Sequence, residues 1–159
     1  MSDPVEPSPA RVVADADVLA ADLLVGGASR AALDRLRSHA WTTLVASPRL
    51  LDEAEAVIGG LAEPSLARDW RDRVEACCDS VDHPAGDHPA LAAAYRGGAM
   101  HLLTFDERLT SARAGAALQG RVPLSVRSPD AFDALFDPES LYAEVVGGDY
   151  PGPDRDPRS

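Results

Sequence analysis

The sequence predicts an α/β fold, a three-layer sandwich built on a central parallel β-sheet. Short apolar, β-branched runs alternate with helical patterns along most of the chain. Strands separated by whole helices must pair in parallel, because each crossover needs a dozen or more residues. The chain has 159 residues, enough for one substantial core and few for two, and 45% of it is hydrophobic, as in a globular protein.

The elements follow in order. Residues 1–10 contain three prolines and are expected to form a flexible arm ahead of a domain spanning 11–136. Residues 11–14 are an apolar run ending on Asp15, as a buried strand would. Residues 18–25 read as a helix stopped by Gly26 and Gly27, and a second helix follows from Ser29 through His39, with Ala32, Leu33 and Leu36 on one side. Residues 41–46 are β-branched enough for a strand. Ser47 is expected to cap the next helix, with Pro48 in its first turn. Leu50, Leu51, Ala54, Val57, Ile58 and Leu61 form one apolar stripe there. From Ser65 a further helix repeats the pattern with Leu66, Trp70, Val74, Cys77 and Cys78. After a polar turn, residues 89–96 make an alanine-rich helix closed by Gly97 and Gly98. A strand over 100–104, a helix over 107–118, a strand over 122–126 and a helix over 129–136 complete the domain. Residues 137–159 are expected to hold a short helix and a disordered acidic tail.

Charge is the unusual bulk feature. The formal net charge is −11; all 15 basic residues are arginine, and 18 of the 26 acids are aspartate. A lysine-free, acid-rich surface suits a protein working in concentrated salt, where self-repulsion is screened. The same charge opposes ordinary nucleic-acid binding unless arginines cluster locally, for which Arg30, Arg35, Arg37 and Arg49 are the candidates. No run approaches the roughly 20 apolar residues that cross a bilayer. The N-terminus lacks the basic start and apolar core of a signal peptide, so a cytoplasmic location is expected. Cys77 and Cys78 are adjacent, point about 100° apart on a helix and can hardly bridge each other. Together with His83 and His88 they lack the C-x-x-C turn of a structural zinc site.

In parallel α/β sheets, sites form beyond the strand C-termini, which directs attention to Asp15 and Asp106. Each also has a plain reading as a helix cap, and so does Asp87 ahead of Pro89. Asp17 follows Asp15 by two residues, and Thr104 precedes Asp106 by two. On the helix after Ser47, Glu53 and Glu55 flank the apolar stripe; Glu53 is the first candidate to reach a crevice, and Glu55 its substitute.

The order and spacing of these blocks resemble the PIN-domain nucleases, in particular their toxin–antitoxin branch. RVVADADVLAADLLVGGAS is similar to that family's opening strand and helix, and SPRLLDEAEAVI to its second block, which carries the glutamate at Glu53. DHPALAAAYRGGAMHLLTFDERL is similar to the third, and SPDAFDALF to its close, so the resemblance spans 11–136. Asp17 departs from it where asparagine is common, and His88-Pro89 where an unbroken helix start is common. The resemblance implies a PIN-like fold and hydrolysis of phosphodiester bonds in single-stranded RNA. It further implies catalytic residues Asp15, Glu53, Asp87 and Asp106, with Asp15, Asp87 and Asp106 holding the metal and Thr104 and Asp17 supporting. Glu53 and Asp87 would act directly or through water. An antitoxin protein and a second copy of the chain are the implied partners.

The chemistry is coherent. A pair of carboxylates at 4 Å repels by about 1 kcal/mol in water and about 4 kcal/mol at an effective dielectric of 20. A crevice holding four therefore calls for protons or a cation, and all-oxygen ligation suits Mg²⁺ or Mn²⁺. Two other readings compete. One is a non-catalytic PIN-like module that binds RNA or protein. The other is a haloacid-dehalogenase-like phosphatase, since DADVL resembles that class's nucleophile motif, but the chain has no lysine and no convincing late acidic pair.

Overall fold

The computed structural model describes residues 5–84, 88–110 and 124–157. Among them, five strands form one all-parallel sheet flanked by eight helices, the α/β sandwich that the alternating pattern predicts. The strands are β1 (Ser8–Ala14), β2 (Thr43–Ala46), β3 (Asp79–Ser80), β4 (Ala99–Leu103) and β5 (Ser125–Arg127). The helices are α1 (Ala16–Leu24), α2 (Gly27–Arg37), α3 (Pro48–Leu61), α4 (Pro64–Cys77), α5 (Pro89–Gly97), α6 (Glu107–Thr110), α7 (Pro129–Leu135) and α8 (Pro138–Val145).

The strand order is β3-β2-β1-β4-β5. The chain therefore winds outward from β1 in one direction through β2 and β3, then returns to β1's other side for β4 and β5. That reversal opens a crevice beyond the C-terminal ends of β1 and β4, where parallel sheets take ligands. Ala14 pairs with Leu103 at the end of this register, and the Asp15 amide donates to the Leu103 carbonyl at 2.8 Å.

β1 is central and correspondingly apolar: Val12, Val13 and Ala14 are essentially sealed from solvent. Helix α5 lies against β1, β2 and β4 with only small residues on its inner face, Ala90, Ala93, Ala94 and Gly97. Leu50, Leu51, Ala54 and Ile58 bury α3 as expected, whereas Val57 and Leu61 of the same predicted stripe are 39% and 75% exposed. Helix α4 packs on α3 through Ala67 and Trp70; Leu66 and Val74 are half-buried, and Cys77 faces solvent. Both cysteines are free thiols.

Three boundaries differ from the sequence expectation. β1 starts at Ser8, inside the predicted arm, because the Val5 and Ser8 amides donate to the Arg96 and Gly98 carbonyls. Gly98 closes α5 at φ 65°, and a Cβ there would collide with the Val5 and Glu6 carbonyl oxygens, so the arm's course requires glycine. The polar turn contains the two-residue strand β3. The third difference is the C-terminal segment, expected to be disordered. Its Asp154 and Arg155 amides donate to the Ser38 carbonyl, and the Tyr150 hydroxyl meets Nε2 of the buried His39 at 2.6 Å. The predicted helix over 107–118 and strand over 122–126 fall partly outside the described residues. No described helix is long and apolar enough to cross a membrane.

Candidate functional site

Asp15 follows the last residue of β1 and caps α1, its Oδ1 accepting from the Ala16 amide at 2.8 Å. Its Oδ2 accepts from the Thr104 hydroxyl at 2.8 Å, a contact between residues 89 apart in sequence. Thr104 is fully buried just past β4, and the same Oγ1 accepts from the Asp106 amide at 3.0 Å. One hydroxyl thus links the two strand-end aspartates. A threonine suits the place because its hydroxyl donates to one partner while accepting from another. Each oxygen of Asp15 keeps a lone pair beyond its single hydrogen bond.

Asp17, in the first turn of α1, lies beside them. Its Oδ1 accepts from the Val18 amide at 2.7 Å and its Oδ2 from the Phe105 amide at 3.1 Å, which ties α1 to the loop after β4. Burial first and the Asp15 charge second raise its pKa, with a smaller push from Asp106; the two amides pull the other way without prevailing. The three aspartates therefore share one electrostatic field.

Asp106 is turned toward Arg108. Its Oδ1 accepts from the Arg108 amide at 2.9 Å and from Nε at 3.2 Å, and its Oδ2 from Nη2 at 3.2 Å. The Arg108 guanidinium holds this carboxyl below the ordinary range, and His88 adds a weaker pull in the same direction. His88, not Asp87, supplies the side-chain cap of α5, its Nδ1 accepting from the Ala90 amide at 3.2 Å. Asp87 itself lies outside the described residues.

Helix α3 starts at the same edge of the sheet. Ser47 caps it, accepting from the Leu50 amide at 3.1 Å, and the His83 Nε2 meets the Ser47 hydroxyl at 2.8 Å. Glu53 is exposed and makes no hydrogen bond or ion pair among the described residues. Glu55 is committed elsewhere: with Asp52 and Glu75 it surrounds Arg71 of α4. Of the two glutamates, Glu53 is the one without a partner among the described residues.

The structure thus brings Asp15, Asp17, Thr104 and Asp106 together, and no hydrogen bond joins Glu53 to them among the described residues. Among the described residues no three His, Cys, Asp or Glu side chains converge to metal-holding distance. Arg108 and His88 join the site without having been singled out as members of it. The D-x-R spacing at the first turn of α6 was the available signal for Arg108. Three of the four arginines named as candidates for a local cluster are bonded to acceptors within the chain. Arg30 donates to the Asp22 and Leu23 carbonyls, Arg35 pairs with Asp133, and Arg37 pairs with Asp22 and Asp34. Arg49 is exposed and makes no ion pair among the described residues.

Residues 6–158 match a family described as "Family of unknown function (DUF7384)". No curated protein and no solved structure matches the chain.

Proposed function

The chain belongs to the DUF7384 family, and we propose that it is a divalent-metal-dependent endoribonuclease of the PIN type, hydrolysing phosphodiester bonds in single-stranded RNA. The observation that carries this reading is the Asp15–Thr104–Asp106 link across the point where the strand order reverses, with Asp17 in the same field. Carboxylates at strand ends, linked through one hydroxyl, are the type of ligand that phosphoryl transfer by a hard cation uses.

The donor set fits Mg²⁺ or Mn²⁺. It is all oxygen, and the Asp15 charge, second to burial, pushes the pKa of the neighbouring Asp17 up. Asp15 and Asp106 would hold the ion, Asp87 would be the third ligand, and Glu53 would act directly or through water. A bound ion would lower the pKa of a coordinated water and offset the charge that builds on the phosphate. Thr104 orients Asp15 and keeps its Oδ2 from turning away, while the backbone bonds of Asp17 fix the loop after β4. An antitoxin-like protein and a second copy of the chain are the partners this reading calls for.

A non-catalytic binding module on the same fold is the second reading. The pairing of Arg30, Arg35 and Arg37 within the protein favours its protein-binding form, since it engages cations that an RNA-facing patch would use. One experiment separates the two. Wild type, Asp15→Asn and Asp106→Asn are incubated with single-stranded RNA and Mn²⁺ at high KCl. Cleavage that falls roughly a hundredfold or more in both variants supports the nuclease. Identical behaviour of all three proteins removes it.

A further inference from the structure

Phe105 lies between Thr104 and Asp106, on the loop that leaves β4 beside the strand-end aspartates. The backbone on both sides of it is pinned. Its own amide donates to Asp17 Oδ2, the Asp106 amide to the Thr104 hydroxyl, and the Thr104 amide to the Arg127 carbonyl. The side chain is nonetheless 48% exposed and stands outside the hydrophobic core. Phe132 and Phe136 pack on each other and on histidine rings, whereas the Phe105 ring has no aromatic or cationic partner among the described residues. A fixed backbone thus presents a flat apolar ring to water.

The charge of the chain gives that ring a use. A protein of net charge −11 whose Arg30, Arg35 and Arg37 are bonded internally has little with which to attract phosphates. Bases are uncharged, and every base offers a π-face that stacks on an aromatic side chain. We propose that Phe105 is a stacking platform for one unpaired base of single-stranded RNA, holding the strand beside the aspartates without a cation. The proposal rests on reading the protein as one that acts on RNA. Stacking selects single strands over duplex, because paired bases keep their faces against one another. It also reverses the usual effect of salt. Ordinary nucleic-acid binding weakens as salt rises, since protein cations bind by displacing counter-ions from the phosphates. Here the acidic surface and the phosphates repel, and screening that repulsion leaves the stack to act.

Fluorescence anisotropy of a labelled single-stranded RNA, titrated with the full chain in EDTA from low to molar KCl, tests this. The proteins are wild type, Phe105→Ala, Phe105→Leu, Phe105→Trp and Tyr95→Ala. Wild type is expected to bind more tightly as KCl rises. In molar KCl, Phe105→Ala should weaken binding roughly five- to a hundredfold, the scale of one lost stack. Phe105→Leu keeps apolar bulk without the ring and should lie close to Phe105→Ala, while Phe105→Trp should bind at least as tightly as wild type. Tyr95, an exposed aromatic near the end of α5, is the control, and Tyr95→Ala should match wild type. The platform is overturned, with the RNA reading left standing, by equal binding of wild type and Phe105→Ala or by full binding of Phe105→Leu. Duplex bound as well as single strands, an equal loss in Tyr95→Ala, or binding that weakens as KCl rises does the same. No binding by any of the proteins also overturns the platform; if wild type then cleaves no RNA with Mn²⁺, the reading beneath it falls too.

Discussion

Asp17 places both carboxylate oxygens on backbone amides, yet burial and Asp15 still hold its pKa above the ordinary 3.8. A carboxyl whose folded pKa is raised contributes stability that is fully present below the unfolded value and is lost as pH rises through the folded one. Ionised Asp17 is therefore a cost at neutral pH. Asp17→Asn removes that charge but sets its Nδ2 against one of the two backbone N–H donors, so its melting temperature is expected to lie below wild type's. Melting curves across pH check the charge cost: the deficit of Asp17→Asn should be smaller at pH 7 than below 3.8, where wild-type Asp17 is protonated and no longer bears it. Asp15 and Asp106 were legible in the sequence because each follows an apolar strand. Thr104 and Asp17 were legible through their spacing from those two. The orientation of Glu53 was not, since helical periodicity places it at the rim of a buried stripe without saying what lies opposite. The Arg108 clamp escaped for a related reason: an exposed arginine carries no pattern, and its position depends on charges that only the fold assembles.

At the scale of elements, the long periodic helices were legible and the short or polar pieces were not. Strand β3 has two residues and no hydrophobic signature; its pairing through Val45 and Ala46 exists because β2 offers a free edge. The C-terminal segment reads as a loose tail by composition, yet it is held where the chain enters β2, at the end of the sheet opposite the candidate site. There Tyr150 and Tyr142 join His39 and Trp41 in an aromatic group with ring centroids 5.2 to 5.9 Å apart. His39 is 2% exposed, and its two ring nitrogens meet the Arg35 carbonyl and the Tyr150 hydroxyl. Tyr150→Phe leaves one of them without a partner and should cost about 1 to 3 kcal/mol, read as a lower urea midpoint. Removal of the segment after Val146 should cost more, because the aromatic packing goes with the hydrogen bond. Mn²⁺ affinity should not change in Tyr150→Phe, since the two ends of the sheet are separate.

For the whole molecule, the net charge of −11 is the dominant fact. Several of the arginines that might offset it over distance are spent on local pairs: Arg11 with Asp79, Arg35 with Asp133, Arg37 with Asp22 and Asp34. The remaining acids repel across the surface with a range of about 10 Å at 0.1 M salt and about 3 Å at 1 M. The melting temperature is accordingly expected to climb from low to molar KCl; a flat or falling curve would reject adaptation to salt. The strand order has a consequence for synthesis as well. Because β1 lies between β2 and β4, the first strand made is the one whose neighbourhood is finished late, and Asp15 waits for Thr104, 89 residues further on. A chain still being translated carries Asp15 and Asp17 long before it carries Asp106. If the crevice cuts RNA, the nascent polypeptide is harmless to the message it is read from until β4 has left the ribosome and docked.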